Sequence, residues 1–139
     1  MIYEKSCGAV VFTVVNNEIL YLLVRNLEGI YGFPKGHVEN NEKETETALR
    51  EVKEEVDINV VLIDGFRLID EHPIPQKENT MKQVVYFLGK YFNQQHKYQK
   101  EELSDAVLVN YEKALSLFQF ESNKIILSKA HKYLLKEMK

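Results

Sequence analysis

The chain has no tryptophan, one cysteine, three prolines and six glycines among its 139 residues, and each scarcity excludes something. A single cysteine, Cys7, cannot form an intramolecular disulfide. Because it borders the apolar run at 9–12, we expect a buried thiol and not a nucleophile. No stretch approaches the roughly 20 apolar residues of a membrane-spanning helix, and residues 1–5 lack the apolar segment of a signal peptide. We therefore expect a cytoplasmic protein with no membrane partner.

Positive charge is also in short supply, with 18 lysines and arginines against 21 acidic residues and a net charge of -3 at pH 7. A general nucleic-acid-binding protein shows a basic surface, so that class of function is not expected. The hydrophobic fraction of 45% is enough for one core in a chain of this length and too little for two ordinary domains. We expect a single domain over 1–139, and the sequence implies no obligate protein partner.

Acidic residues are concentrated at 36–58, where the apolar spacing predicts a helix. At about 3.6 residues per turn, Glu51, Glu54 and Glu55 occupy positions i, i+3 and i+4 on one face. Apolar residues occupy a separate arc, as in an amphipathic helix packed on a core: Ala48, Leu49, Val52 and Val56. Three adjacent carboxylates repel one another, and a hard divalent cation such as Mg²⁺ or Mn²⁺ would remove the repulsion and bind phosphate. The alternative is a solvated acidic helix face.

The rest of the pattern predicts strands, then the acidic helix, more strands, and helices at the end. Apolar runs at 8–15 and 18–24 flank Asn16 and Asn17, which tolerate the positive φ of a hairpin turn. Later segments predict strands at 60–69, 84–92 and 106–109, a loop at 72–80, and helices at 111–119 and 123–136. This order fits an α/β fold in which helices pack on the faces of a mixed sheet.

The acidic helix has a predicted start and end. Asn41 with Glu44 three residues later fits a capping box, so the helix is expected to begin near Glu42 and to end near Val56. The segment resembles the Nudix box, G-x5-E-x7-R-E-U-x-E-E-x-G-U, in which U is a bulky aliphatic residue. Every fixed position but one is filled, by Gly36, Glu42, Arg50, Glu51, Val52, Glu54, Glu55 and Ile58.

The exception is Asp57, which stands where the family has glycine. Aspartate is among the few side chains that tolerate the left-handed conformation closing a helix, so we expect the exit turn to change and the chemistry to remain. The resemblance implies a Nudix-type α/β/α sandwich with a mixed sheet. In that fold the box forms a loop-helix-loop and the acidic edge of the helix lines the substrate cleft.

Outside the box, the chain resembles the asymmetrically cleaving diadenosine tetraphosphate hydrolases. The resemblance is carried by 6–12, 31–39, 46–51 and 82–88, and it thins after about Leu103. It implies a metal-dependent hydrolase with Mg²⁺ or Mn²⁺ as cofactor and a nucleotide polyphosphate as substrate. Cleavage of a pyrophosphate bond would convert diadenosine tetraphosphate to ATP and AMP.

Two alternatives stay open at this point. The same chemistry serves RNA 5′ ends, capped nucleotides and other nucleoside diphosphate derivatives. A non-catalytic nucleotide-binding module of the same fold is the other alternative. Such a module is expected to have lost acids of the cluster, whereas Glu51, Glu54 and Glu55 are all present.

The resemblance also implies roles for individual residues. The implied metal ligands are Glu51, Glu54, Glu55, Glu102 and Lys35, the last through its backbone carbonyl. Glu54 or Glu51 would accept the proton of the attacking water, and Arg50 would hold a neighbouring carboxylate with a two-pronged bond. Glu102 is preferred over Glu101, which precedes the same strand.

Substrate contacts are implied for Lys35, His37, Lys82, Tyr86 and Phe120. His37 would either donate to a phosphoryl oxygen or brace its loop. The Tyr86 hydroxyl would either contact phosphate or be buried with its ring. Phe120 fits the adenine platform of the resemblance best, with Phe118, Tyr111 and Tyr31 as the other aromatic candidates.

Overall fold

A computed structural model describes residues 1–138 and places eight strands and three helices in them. The strands are β1 (Ile2–Val15), β2 (Glu18–Asn26), β3 (Tyr31–Gly32), β4 (Lys35–His37), β5 (Val61–Leu62), β6 (Leu68–Pro73), β7 (Thr80–Lys90) and β8 (Leu103–Val109). The helices are α1 (Glu44–Val56), α2 (Tyr111–Leu117) and α3 (Glu121–Glu137). None of these helices is both long and apolar enough to cross a membrane.

The sheet is built around β1. This strand runs parallel to β7, from Ile2 opposite Thr80 to Phe12 opposite Lys90. It also forms the predicted antiparallel hairpin with β2, in which Asn16 has a φ of 51° and Asn17 a φ of 66°. The remaining pairings are antiparallel: β4 with β1, β3 and β8 with β2, and β5 and β6 with β7. The predicted mixed sheet is therefore confirmed.

Helices cover both faces of this sheet. Successive side chains of a strand point to opposite faces. On one face, Val10 and Phe12 of β1 pack in a cluster with Leu127 of α3. On the other, Val11 packs with Val52 of α1, so the predicted α/β/α sandwich is confirmed.

Cys7 is fully buried in β1, as predicted. Burial, and to a lesser extent the negative charge of Glu44, raise the pKa of its thiol to about 11. The thiolate form is therefore scarce at neutral pH, which agrees with a packing role and not a nucleophilic one.

The start of α1 differs from the prediction. The helix begins at Glu44, and Lys43 is its cap, with the Lys43 N–H donating to the Glu46 carboxylate over 2.7 Å. Asn41 has a left-handed φ of 64° and lies in the turn before the cap. The predicted pair of Asn41 and Glu44 is wrong, because a cap residue has an extended backbone and Asn41 is left-handed.

The end of α1 follows the prediction for Asp57. Its φ of 59° and ψ of 37° are left-handed, and its N–H donates to the Lys53 carbonyl over 3.0 Å. The Asp57 carboxylate also accepts a bond of 2.7 Å from the Lys53 ammonium. Aspartate therefore closes the helix in the place of glycine without displacing the acids upstream.

Several strand limits also differ from the prediction. The run at 60–69 is broken because the chain turns at Gly65, which has a φ of 88°. A Cβ at this position would meet the Tyr133 hydroxyl. That hydroxyl donates to the Asp64 carbonyl over 2.6 Å and ties α3 to the turn. The expected loop at 72–80 is shorter, since β6 continues to Pro73 and β7 begins at Thr80.

Candidate active site

Two glycines allow the start of the box to approach both β1 and α1. β4 pairs with β1, with Gly36 opposite Cys7 and Lys35 opposite Gly8. A Cβ on Gly8 would overlap the Pro34 carbonyl oxygen and the Cα and Cβ of Lys35, and a Cβ on Gly36 would overlap the Glu51 carboxylate. Close packing at these positions therefore brings Lys35 and Glu51 to the same corner of the fold.

Arg50 donates to the carboxylates of Glu42, Glu51 and Glu54, which form what we call the outer side of α1. Its Nε donates to Glu42 over 2.7 Å, and its Nη1 donates to Glu51 over 2.7 Å and to Glu54 over 3.1 Å. Its Nη2 donates to the His37 carbonyl over 2.9 Å, which joins the helix to β4. The bond from Arg50 is the main cause that lowers the pKa of Glu42 to about 2. One guanidinium therefore sets the orientation of three carboxylates.

Glu51 and Glu55 form a close carboxyl pair on the inner side of α1. Their exposed fractions are 7% and 8%. Burial, followed by the charge of Glu51 and a hydrogen bond to it, raises the pKa of Glu55 to about 8. The charge of Lys35 acts in the opposite direction, and Glu102 adds to the rise. At neutral pH Glu55 therefore keeps a proton that an ordinary glutamate loses.

The four carboxylates predicted as metal ligands are only partly brought together. Glu51 and Glu55 touch, and Glu102 lies near enough to affect Glu55, whereas Glu54 is held by Arg50 with a side chain that is 56% exposed. Across residues 1–138, no three acidic, histidine or cysteine side chains form a ready-made cation site.

The donors are nonetheless suited to Mg²⁺ or Mn²⁺. They are all oxygens, the type that hard cations take. A proton on Glu55 now prevents repulsion between two buried carboxylates, and a bound cation would prevent the same repulsion. The residues that are present therefore fit a divalent cation.

A cavity of about 970 Å³ opens beside this pair. Seven of the residues singled out from the sequence line it: Tyr31, Lys35, Glu55, Lys82, Tyr86, Glu102 and Phe120. Arg50, Glu51 and Glu54 are not part of the lining. Glu101, the neighbour of Glu102, is also outside it.

Lys82 and Tyr86 reach the cavity from β7. Lys82, Val84 and Tyr86 are spaced two residues apart, so they lie on the same face of the strand, and all three line the cavity. The Lys82 ammonium donates to the Ser6 hydroxyl over 2.9 Å, and burial, followed by the charge of Lys35, lowers its pKa. Tyr86 is buried at 2% exposure, and burial raises the pKa of its hydroxyl, which is therefore neutral and able to donate.

His37 does not join this group. It lies at the end of β4 opposite Ser6, is exposed, and is outside the lining of the cavity. Its backbone carbonyl accepts from Arg50, and its side chain lies on the side of Glu4, whose pKa it helps to lower. The pairing of β4 with β1 therefore places His37 outside the cavity.

The aromatic candidates separate clearly. Phe120, 52% exposed at the start of α3, and Tyr31 of β3 both line the cavity. Phe118 is buried in the core, with its ring centroid 5.2 Å from that of Phe33. Tyr111 stacks on His131 at 3.9 Å, outside the lining of this cavity.

Sequence reasoning missed several polar residues of the lining, among them Asp70, His72, Ser122 and Asn123. Asp70 and His72 lie in β6 opposite Val84 and Lys82 of β7, and 3.7 Å separates the Asp70 carboxylate from the His72 Nδ1. Leu68, Asp70 and His72 are spaced two residues apart. If the whole segment had been assigned to a strand, this spacing would have placed the three side chains on one face.

Comparison with known proteins agrees with this geometry. The NUDIX domain family model matches residues 5–129. The asymmetrical bis(5'-nucleosyl)-tetraphosphatase of Mus musculus is 33% identical and that of Sus scrofa 32%, each over 94% of this chain and 95% of the relative.

Two solved structures illustrate the match in fold. A binary complex of a C. elegans Ap4A hydrolase has a TM-score of 0.86 at 24% identity, over 96% of this chain and 98% of the other. A MutT protein from Methanosarcina mazei Go1 has a TM-score of 0.75 at 22% identity, over 95% of each chain. The resemblance found in the sequence is thus confirmed for the family, for the tetraphosphatase relatives and for the fold. The chain belongs to the Nudix family and is a Nudix hydrolase.

Proposed function

We propose that this hydrolase cleaves dinucleoside polyphosphates, with diadenosine tetraphosphate as substrate and ATP and AMP as products. The observation that carries the proposal is the cavity of about 970 Å³ in which Lys35 and Lys82 lie together with the buried carboxyl of Glu55. Ligand cavities typically enclose about 300 to 1,000 Å³. The asymmetrical tetraphosphatases with 32–33% identity over 94% of the chain support the choice of substrate.

The proposed cofactor is Mg²⁺, held by the carboxylates of Glu51, Glu54, Glu55 and Glu102 together with the Lys35 carbonyl. When bound, it would neutralise the polyphosphate and lower the pKa of an attacking water. The chain's own contribution includes Glu54, whose Oε2 accepts from Arg50. Turning this side chain toward the other ligands would cost little, because surface ion pairs contribute about 1 kcal/mol or less.

Glu54 is the proposed acceptor of the water's proton. Arg50 bonds its Oε2, and more than half of its side chain is exposed, at 56%. Glu51 is enclosed by Arg50 on one side and by Glu55 and Gly36 on the others, so water has less access to it. A general base has to lie within hydrogen-bonding reach of the proton it removes.

The proposed phosphate contacts are Lys35, Lys82 and the Tyr86 hydroxyl, which all line the cavity. Two ammonium groups and a neutral phenol offer donors to a polyanion that is partly removed from water. Phe120 is the proposed platform for the base. His37 is left out of this set because it lies outside the cavity lining.

Incubation with diadenosine tetraphosphate and Mg²⁺ in ¹⁸O water tests the proposal. We expect ATP and AMP, with the label in one product. Two molecules of ADP would exclude the asymmetric route, and no turnover would exclude the substrate. Specificity constants measured side by side for an RNA 5′-triphosphate end and a capped nucleotide complete the test, since a clear preference for RNA would replace the proposed substrate.

A further inference from the structure

A cluster of three rings outside the lining of the catalytic cavity joins α3 to β2 and α2. The Tyr21 hydroxyl of β2 lies 2.7 Å from the Nδ1 of His131 in α3. Tyr111, the first residue of α2, stacks on the same imidazole with 3.9 Å between the ring centroids and 6° between the ring planes. His131 is therefore held at its edge by one element and at its face by another.

The burial of Tyr21 determines which nitrogen of His131 carries the hydrogen. Tyr21 is 0% exposed, and in the part of the chain that the structure describes its hydroxyl has His131 as its hydrogen-bond partner. A neutral imidazole has one donor nitrogen and one acceptor nitrogen. If Nδ1 is the acceptor, the hydroxyl donates to it and its proton is satisfied, as buried polar groups usually are. We therefore assign the hydrogen of the neutral imidazole to Nε2.

Protonation of His131 would disrupt this arrangement. Both nitrogens of an imidazolium are donors, so the Tyr21 hydroxyl would have to accept from Nδ1, and its own proton would lose its acceptor. A buried donor without a partner destabilises the folded state. Tyr21 does not relieve the conflict by losing its proton, because burial, followed by the charge of Tyr111, raises the pKa of its hydroxyl.

Among residues 1–138, the titratable groups that face the imidazole come from β2 and α2. Besides Tyr21 and Tyr111 they are Glu112, whose charge acts on His131, and Glu18, which lines the same small pocket. On α3 itself, the positions three and four residues from His131 hold only leucine and serine. Burial lowers the pKa of the imidazole, and the opposing charge of Glu112 does not cancel this effect.

We propose that His131 is a pH-sensitive latch, which holds α3 against β2 and α2 while its imidazole is neutral and loosens the helix when Nδ1 takes up a proton. The inference does not depend on the proposed substrate. The latch bears on the catalytic cavity because α3 begins there, with Ser122 and Asn123 in the lining.

The direction of the pH dependence follows from the lowered pKa of His131. Its ordinary value is 6.5, so the stability that the neutral imidazole contributes is fully present above about pH 6.5 and is lost as pH falls through the pKa of the folded state. The pKa of Glu55 is raised, so its contribution changes in the opposite direction. A local measurement on α3 separates the two.

Hydrogen exchange of backbone amides at about pH 5.5 and about pH 7.5, corrected for intrinsic rates, provides this measurement. We expect the protection of amides at 126–136, relative to that of α1, to fall at the lower pH by up to about tenfold per pH unit, the limit for one proton. In His131→Gln, glutamine offers Tyr21 an acceptor and gains no charge, so this change is expected to disappear. Wild-type protection of α3 that does not change with pH, or that falls equally in α1, would overturn the latch.

Tyr21→Phe keeps the ring and removes the hydroxyl, so we expect a weaker pH dependence than in wild type. His96→Gln is the matched control, because His96 lies between β7 and β8, and it is expected to keep the wild-type behaviour. Nitrogen NMR of the imidazole, assigned by comparison with His131→Gln, is expected to show Nε2 protonated at about pH 7.5. A hydrogen on Nδ1, or a change in α3 that persists in His131→Gln, would overturn the inference and leave the proposed function intact.

Discussion

The outer and inner sides of α1 are both acidic, but only the acids of the outer side are neutralised by an arginine. On the outer side, Arg50 lies within 2.7 to 3.1 Å of Glu42, Glu51 and Glu54. On the inner side, Glu55 lies against Glu51 in a buried position, and its pKa rises to about 8. The charges that Arg50 compensates hold the helix against β4, whereas Glu55, which keeps its proton at neutral pH, faces the cavity.

Removal of the exposed carboxylate from the outer side gives the largest expected effect. Glu54→Gln keeps the shape and a hydrogen-bond acceptor for Arg50 but cannot take up a proton. We expect kcat to fall by about 10² to 10⁴, the usual contribution of a general base, with the melting temperature little changed. Glu101→Gln serves as the control, since Glu101 lies outside the cavity lining and is expected to keep full activity. Unchanged turnover in Glu54→Gln would remove Glu54 from the mechanism.

Loss of the guanidinium tests the compensation itself. Arg50→Leu removes the guanidinium that donates to Glu42, Glu51 and Glu54. Hydrogen bonds to charged groups contribute about 1.5 to 3 kcal/mol each. Since water replaces part of these bonds, we expect unfolding in urea to show a loss of about 2 to 4 kcal/mol. Arg50→Lys, which keeps the charge without the fork, is expected to lose less. Equal stability of Arg50→Leu and wild type would show that the outer side is not held by this residue.

The inner side is expected to make stability depend on pH in the metal-free protein. The pKa of Glu55 is raised from the ordinary value of 4.5 to about 8. Its contribution is therefore fully present below about pH 4.5 and is lost as pH rises through about 8, with a slope of at most about 1.4 kcal/mol per pH unit.

Glu55→Gln has no proton to lose and is expected to remove this slope. Urea unfolding of both proteins in EDTA from pH 5 to 8 measures it. A constant difference between Glu55→Gln and wild type over that range would contradict the raised pKa.

The smallest expected effect comes from an acid that is well compensated at the surface. Glu44 accepts from Arg67 over 2.8 Å, and Lys5 is a second partner, which together lower its pKa to about 2. Exposed ion pairs contribute about 1 kcal/mol or less. Glu44→Gln is therefore expected to lose at most about 1 kcal/mol, and less in high salt. A larger loss of stability in Glu44→Gln that does not depend on salt would contradict the distinction between the surface acids paired with cations and the buried pair of Glu51 and Glu55.

Sequence reasoning succeeded where the chemistry is local to one element. The spacing of Glu51, Glu54 and Glu55 placed them on one helix, and the left-handed exit at Asp57 followed from the conformations that aspartate tolerates. It failed at the start of α1, because Asn41 takes a left-handed turn conformation and the cap falls two residues later, at Lys43. Leu49, expected on the buried arc, is 39% exposed because α1 covers the sheet with a narrower stripe.

The cavity wall was the least predictable part of the site. Asp70 and His72 reach it only because β6 pairs with β7, and local sequence carries no information on that register. His37 lies outside the cavity lining for the same reason, since its position depends on the pairing of β4 with β1. Asn123 was missed because its proximity to Tyr31 is set by the packing of α3, at a separation of 92 residues.

The central claim is that the pair formed by Glu51 and Glu55 exchanges a proton for a divalent cation. Titration calorimetry of Mg²⁺ and Mn²⁺ at pH 7, in two buffers of different ionisation heat, measures both binding and proton release. We expect uptake of the cation with close to one proton released, and loss of that release in Glu55→Gln. Absence of any uptake, with and without nucleotide, would contradict it.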